Sequence, residues 1–404
     1  MRRFACGQRL QDKSGGIVAK ILPRRRPLQW GNKFCKLSIF AQTCRRPVDQ
    51  PGFDRKNPPE VWVLTGHKAG DNAQVTALAA ALGWPYSVKR FCYKSYELLT
   101  NRLLGVTLAG IDRRASSDLG PPWPDLVITA GRRNEPVARW IKRRAGNTRL
   151  VHVGRPWAPL DSFDLIVTTP QYFLPNIPSV VHNHLPLHGV NQDRLCQAAR
   201  QWQGRLAHLP RPWTALLVGG DSGPFVFTPE KGRRLGRLTN ELVQGSGGAL
   251  LVSNSARTPP AAFAALKQQI TVAAQLHCWQ PEQSDNPYLA YLALADQFVV
   301  TGESMSMLTE AAYTGKPLYI FDPGDAGPWW RFPHNYRFKP LSHHFAMHLA
   351  PRRMHRDVGN IQRQLVGDGR AAWLGEVFNS SQCRSLPDDV DRAVARVRAL
   401  FADR

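Results

Sequence analysis

A hydroxyl-rich turn separates an apolar run from a helix-forming run in FVVTGESMSMLTEAAYTGKPLYIF, residues 298–321. A strand, then Gly302, then Glu303, Ser304, Met305 and Ser306 at a helix start is a layout that binds anions. Backbone N–H groups and the Ser304 and Ser306 hydroxyls face the anion, and Gly302 lets the backbone come close. Glu310 follows on the same helix, where one carboxylate can accept hydrogen bonds from two neighbouring sugar hydroxyls. Taken singly, Ser304 is an ordinary helix cap and Glu310 a solvated charge; their joint spacing favours a site.

Three further segments carry candidate chemistry. LTGHKAGDNAQ places His67 and Asp71 in a glycine-bearing loop, where either side chain can take a proton from a hydroxyl, and where Asp71 equally suits a helix cap. LLVGGDSG sets Gly219, Gly220, Asp221 and Ser222 in a second loop of that kind, and SNSARTPP supplies Ser253, Asn254, Arg257 and Thr258 at a strand end. GRRNEP adds Arg132 and Arg133, whose guanidinium groups suit a phosphate or carboxylate. The histidines at 182, 184, 188, 343, 344 and 348 have no Cys or carboxylate set beside them, and the acids at 389 and 391 stand at a helix start that favours acids anyway. No metal site is expected.

These segments need a scaffold that presents loops at strand ends. From residue 59 onward, short β-branched runs alternate with helical stretches, the signature of βαβ units and a parallel sheet. The first series has strands at 61–64, 126–129, 150–153 and 165–168, and its opening helix carries Val75, Leu78, Ala79 and Leu82 at helical spacing, with Gly83 as a stop. A helical run from Asn191 bridges to a second series. That series has strands at 216–218, 249–253, 272–276, 297–300 and 317–321 and a helix near 230–243. A last helix, 388–401, lines up Val390, Val394, Val397 and Phe401. The expectation is an α/β protein of two Rossmann-like, doubly wound domains with a cleft between them. Residues 1–56 form a basic disordered leader, 57–190 the first domain, 191–385 the second, and 386–404 a C-terminal helix.

With 404 residues, 43% of them hydrophobic, the chain can fill two cores. Its net charge of +23 is uneven. Residues 1–56 hold fourteen Lys and Arg against three Asp, and the remainder is still basic, which suits phosphate-bearing ligands or an anionic membrane surface as well as a plain solvated face. Nothing reaches the roughly 18 apolar residues of a spanning helix, and no secretory signal opens the chain. The seven scattered cysteines, without a C-x-x-C pair, suit free thiols in a reducing cytosol. A cytoplasmic protein, peripheral to the inner membrane, is expected, with no nucleic-acid partner.

Glu310, Gly315 and Pro317 form an E-x4-G-x-P pattern that resembles the donor-site motif of two-domain nucleotide-sugar glycosyltransferases, the peptidoglycan N-acetylglucosaminyltransferase in particular. The Gly66–Gly70–Asp71 segment resembles the loop that opens lipid-A disaccharide synthase, which would make Asp71 or His67 a general base. Taken in order, GHKAGDNAQ, GRRNEP, Phe163-Asp164, GGDSG, Asn286-Pro-Tyr288 and TGESMSMLTEA resemble the mitochondrial-fission "elongated mitochondria" family, bacterial branch, over roughly 59–345. This chain has Glu303 where that family leads one to expect Asp, and Ser-Ala-Arg at 255–257 in place of a fuller basic cluster. The resemblance implies a glycosyltransferase-B-like fold with a donor in the second domain and an acceptor in the first. With the phosphate turn, Glu310 and the basic surface, the expectation is a nucleotide diphosphate sugar as substrate, no cofactor, and a lipid-linked or envelope acceptor. It also carries two other readings, a nucleoside-diphosphate-sugar epimerase and a non-catalytic adaptor at a membrane or division machinery.

Overall fold

The computed structural model describes residues 58–94, 105–222, 225–281, 283, 285–324, 349–379 and 388–402. The basic leader, Gly223 and the histidines at 343, 344 and 348 lie outside them.

The first lobe runs β1 (Val61–Thr65), α1 (Ala69–Leu82), β2 (Tyr86–Arg90), β3 (Leu126–Ala130), α2 (Glu135–Ala145), β4 (Arg149–Val153), β5 (Leu165–Thr168) and β6 (Val180–His182). Its six strands pair in parallel in the order β2-β1-β3-β4-β5-β6. Helix α3 (Gln192–Leu206) leads into β7 (Trp213–Val218), α4 (Pro229–Gln244), β8 (Ala249–Asn254), α5 (Pro260–Lys267), β9 (Ala274–His277), α6 (Tyr288–Leu294), β10 (Gln297–Thr301), α7 (Met305–Tyr313), β11 (Leu318–Phe321), α8 (Gly359–Gly367) and β12 (Ala372–Trp373). The second sheet is again six parallel strands, in the order β12-β11-β10-β7-β8-β9. Both expected doubly wound halves are therefore present.

Alternation along the central strands explains why both faces are covered. In β1, Val61 and Val63 enter one core with α1, while Trp62 and Leu64 enter the opposite one with α2. In β7, Ala215 and Leu217 pack with α3, α6 and α7, while Leu216 and Val218 pack with α4 and α5. A strand buried on both faces reads as a continuous apolar run. The helical run from Asn191, expected as a bridge, also covers the second sheet: Leu195, Trp202 and Leu206 join that core, and the Asn191 side chain accepts from Arg194 N. The strand expected at 272–276 is displaced to Ala274–His277, with Val272 packed against the core just before it.

The last helix, α9 (Asp389–Ala399), returns to the first lobe. Ala393, Val394, Val397 and Phe401 share the α1 core, with Phe401 edge-on to Trp84 at 5.3 Å. Asp388 caps the helix through Asp391 N at 3.0 Å, while Asp389 accepts Leu185 N at 2.7 Å and pairs with His184 and Arg392. The acids at this helix start thus pin it to the segment that joins the lobes.

Candidate functional site

Each sheet reverses its winding direction once, between β1 and β3 and again between β7 and β10. At such a reversal the loops leaving two neighbouring strands part and open a crevice beyond the strands' C-terminal ends. Three of the segments singled out from sequence, GHKAGD, GRRNEP and GGDSG, leave β1, β3 and β7, and the Gly-Glu-Ser turn leaves β10.

In the second lobe the two loops are laced together. Gly219 N donates to Thr301 Oγ1 at 2.8 Å, Gly220 N donates to Glu303 Oε1 at 2.7 Å, and the Thr301 hydroxyl donates to the same Glu303 oxygen at 2.9 Å. Glu303 is 1% exposed, so its carboxylate faces the interior and holds the β7 loop. Burial pushes its pKa up, against the opposing pull of Arg257 and of its hydrogen bonds. Met305 packs into the core beneath α7. Gly302 N donates to Phe321 O at 2.8 Å and Gly302 O accepts Gln362 Nε2 at 2.7 Å, with no room for a Cβ between them. Asp221 accepts Phe227 N at 2.7 Å, Ser222 exchanges backbone hydrogen bonds with Phe225, Ser253 is buried in β8, and Asn254 accepts Trp279 N at 2.6 Å. These residues hold the loops that border the crevice.

Ser304 occupies the N-cap position of α7, yet its side chain makes no capping bond; its hydroxyl lies 3.4 Å from Arg257 Nη2. Arg257 also donates to Asp221 O at 2.8 Å, and burial holds its pKa below the ordinary arginine value. The mouth of the crevice thus carries a guanidinium, the Ser304 and Ser306 hydroxyls and the start of a helix, all suited to negative charge. Two turns along α7, Glu310 is partly buried; one carboxylate oxygen accepts the Tyr288 hydroxyl, and the other has no hydrogen-bond partner among the described residues. Burial holds its carboxyl above the usual range, with the Tyr288 hydrogen bond and Arg194 pulling the other way.

The first lobe offers a pocket of about 150 Å³ lined by Tyr93 and by the 66–72 and 130–134 segments, with His67, Asp71, Arg132 and Arg133 among their residues. Asn72 builds it by a reciprocal pair: its Oδ1 accepts Gly66 N at 2.9 Å and its Nδ2 donates to Gly66 O at 2.7 Å. A Cβ on Gly66 would collide with the Tyr93 hydroxyl, which donates to Asn134 Oδ1 at 2.5 Å. Asp71 does not cap α1, whose N-cap is Lys68; it faces Gly131, whose positive φ of 76° turns the β3 loop, and sits 3.9 Å from Lys68 Nζ. Arg133 Nη1 lies 3.0 Å from His67 Nδ1, and His67 stands edge-on to Tyr93.

The two lobes meet where these sites are. A Cβ placed on Gly70, in the first turn of α1, would lie 3.4 Å from Ser306 Oγ, in the first turn of α7. Asn72, Tyr93, Asn134 and Gln362 escaped sequence reasoning, because they act by holding loops. Only the six-residue spacing of Gly66 and Asn72 hints at the clip.

An uncharacterised protein of Rickettsia prowazekii (strain Madrid E) is 28% identical over 295 residues, 65% of this chain and 83% of its own. The mitochondrial fission protein ELM1 of Arabidopsis thaliana is 26% identical over 243 residues, 54% of this chain and 56% of its own. Among solved structures, MurG of Acinetobacter baumannii aligns with TM-score 0.42 and 13% identity over 84% of this chain and 100% of its own. UDP-GlcNAc 2-epimerase from Neisseria meningitidis, bound to UDP-GlcNAc, aligns at 0.44 and 11% over 85% and 100%. No described helix is long and apolar enough to cross a membrane. Residues 69–339 match the family described as Mitochondrial fission ELM1, more than half of the 404 residues, and the chain belongs to that family.

Proposed function

We propose that this protein binds a nucleotide diphosphate sugar between its lobes and transfers the sugar without a metal. The observation that carries the reading is the approach of Gly70 to Ser306, which brings the start of α1 and the start of α7 to one crevice. The diphosphate would lie at the start of α7, against Ser304, Ser306 and Arg257, where donors are already oriented toward the charge that develops on the leaving group. The free oxygen of Glu310 would take ribose hydroxyls. The acceptor would enter the first-lobe pocket, where Asp71 or His67 takes the hydroxyl proton as the acceptor oxygen bonds to the anomeric carbon and the diphosphate oxygen leaves with the bonding pair. The net charge of +23 favours a lipid-linked or envelope acceptor at an anionic surface.

Thermal melting of the full chain with nucleoside diphosphates and their sugars tests the reading. A ligand present at about 100 times its Kd adds about 2.7 kcal/mol to the folded state. One nucleotide class should raise the melting temperature, and Glu310→Ala should remove most of that rise. The rise should also shrink as pH falls through the elevated Glu310 pKa, because the protonated carboxyl keeps one acceptor fewer for ribose. No rise with any nucleotide would reject the donor site and leave the adaptor reading. Turnover of the sugar nucleotide to an isomer, with no second substrate, would favour the epimerase.

A further inference from the structure

The Asn286-Pro287-Tyr288 triplet lies outside the crevice loops, yet it ends on Glu310. It opens α6: Asn286 Oδ1 accepts Tyr288 N at 3.0 Å, Pro287 takes the N-cap position, and the Pro287 carbonyl accepts Tyr291 N at 2.8 Å. A side-chain turn of this kind fixes how the chain enters the helix, and so the direction in which the first helical side chain leaves. The Tyr288 ring packs against the second-lobe core, and its hydroxyl donates to Glu310 Oε2 on α7, 22 residues away in sequence.

A donor at one oxygen of a glutamate has two consequences. It takes away rotamer freedom before a ligand arrives, which lowers the entropic cost of binding. It also acts on the proton. Burial favours the protonated carboxyl of Glu310, whereas the hydrogen bond from Tyr288 favours the ionised one, the form that only accepts. Tyr288 stays protonated and a donor, because burial and the carboxylate beside it push its pKa well above the ordinary value. Arg194, whose guanidinium donates to Gly189 O at 2.5 Å, is the other charged group that favours the ionised carboxyl. Of the two, Tyr288 alone hydrogen-bonds to Glu310 among the described residues.

We infer that Tyr288 is a positioning residue for the ribose contact: its hydroxyl holds one oxygen of Glu310 and so leaves the other, already oriented, to accept from the ribose. The inference rests on the reading of Glu310 as the ribose acceptor. It gives the Asn-Pro-Tyr triplet a task, the setting of α6 so that Tyr288 reaches α7.

Tyr288→Phe tests it, because it removes the hydroxyl and keeps the ring in the core. In the free full chain with isotope-labelled glutamate carboxyls, the NMR resonance that Glu310→Gln removes should titrate at higher pH in Tyr288→Phe than in wild type. Calorimetric titrations with adenosine, guanosine, uridine, cytidine and thymidine diphosphates across pH give the second readout. The nucleotide that wild type binds should bind Tyr288→Phe about fivefold more weakly when Glu310 is ionised in both, as for one lost hydrogen bond. That gap should widen as pH falls, because the variant protonates first. Added to Glu310→Gln, Tyr288→Phe should leave the pH profile unchanged. An unmoved Glu310 resonance, or weakening by one factor at every pH, overturns the inference, while loss of affinity in Glu310→Ala would still uphold the ribose contact. If no nucleoside diphosphate binds wild type, the ribose contact itself falls, and the inference with it.

Discussion

Gly220→Val is expected to destabilise the protein by about 4 kcal/mol or more and to abolish ligand binding in the second lobe, the cost of a strained backbone added to a backbone collision. Gly220 has φ of 115°, a conformation that β-branched residues avoid, and a Cβ there would run into the Arg257 carbonyl and come within 2.6 Å of Thr258 N. Neither obstacle is the movable end of a side chain. The Arg257 carbonyl accepts Asp221 N at 3.0 Å, and Thr258 Oγ1 donates to Val218 O at 3.1 Å and Gly219 O at 2.9 Å, so relieving the collision would unpick the β7 and β8 loops together. Gly247→Ala supplies the contrast. Its φ of 68° is also positive, but a Cβ there would meet nothing within 4 Å, and about 1 kcal/mol is expected. Urea unfolding midpoints compare the two; similar costs would mean that the β7 loop is not held as described.

Glu303 is the second position where a large effect is expected, and its two substitutions should differ in sign. Glu303→Ala leaves Gly220 N without its acceptor in a closed space and opens a cavity, for a loss of about 2 to 4 kcal/mol. Glu303→Gln keeps an acceptor for Gly220 N and the Thr301 hydroxyl while removing a buried charge whose second oxygen has no hydrogen-bond partner among the described residues. Because burial raises the folded pKa above the ordinary 4.5, the wild type gains from the protonated form. That gain is complete below the unfolded pKa and is lost as pH rises through the folded one. The stability of Glu303→Gln relative to wild type should therefore climb as pH rises from the ordinary carboxyl value of 4.5 through the raised folded one. A flat or falling difference would show that Arg257 balances the carboxylate fully.

The fold was legible because its central strands are buried on both faces and so stand out as apolar runs, as at Val61–Thr65 and Gln297–Thr301. The strands that went unseen lack that mark. Tyr86–Arg90 is an edge strand with mostly exposed side chains, and Val180–His182 and Ala372–Trp373 are only three and two residues long. Helix Pro260–Lys267 hides behind consecutive prolines that read as a turn. In the site, spacing identified the loops but not the work of each side chain. Glu303 and Ser304 are neighbours in one polar turn, yet one faces the interior to hold Gly220 and the other meets Arg257. That division depends on which loop lies opposite, and only the pairing of β10 with β7 fixes it. The contact of Arg155 and Arg356 with Tyr172 was invisible for the same reason: the three are far apart in sequence, and only the fold brings both guanidinium groups over that ring.

The central claim is that a nucleoside diphosphate binds where the loops after β7 and β10 face the start of α1. Hydrogen exchange of the full chain, with and without a panel of adenosine, guanosine, uridine, cytidine and thymidine diphosphates, tests it most directly. With one of them, amides of residues 219–222 and 302–308 should slow together with those of 69–72. No slowing at any of these segments with every nucleotide, or slowing confined to sites elsewhere, would contradict the account.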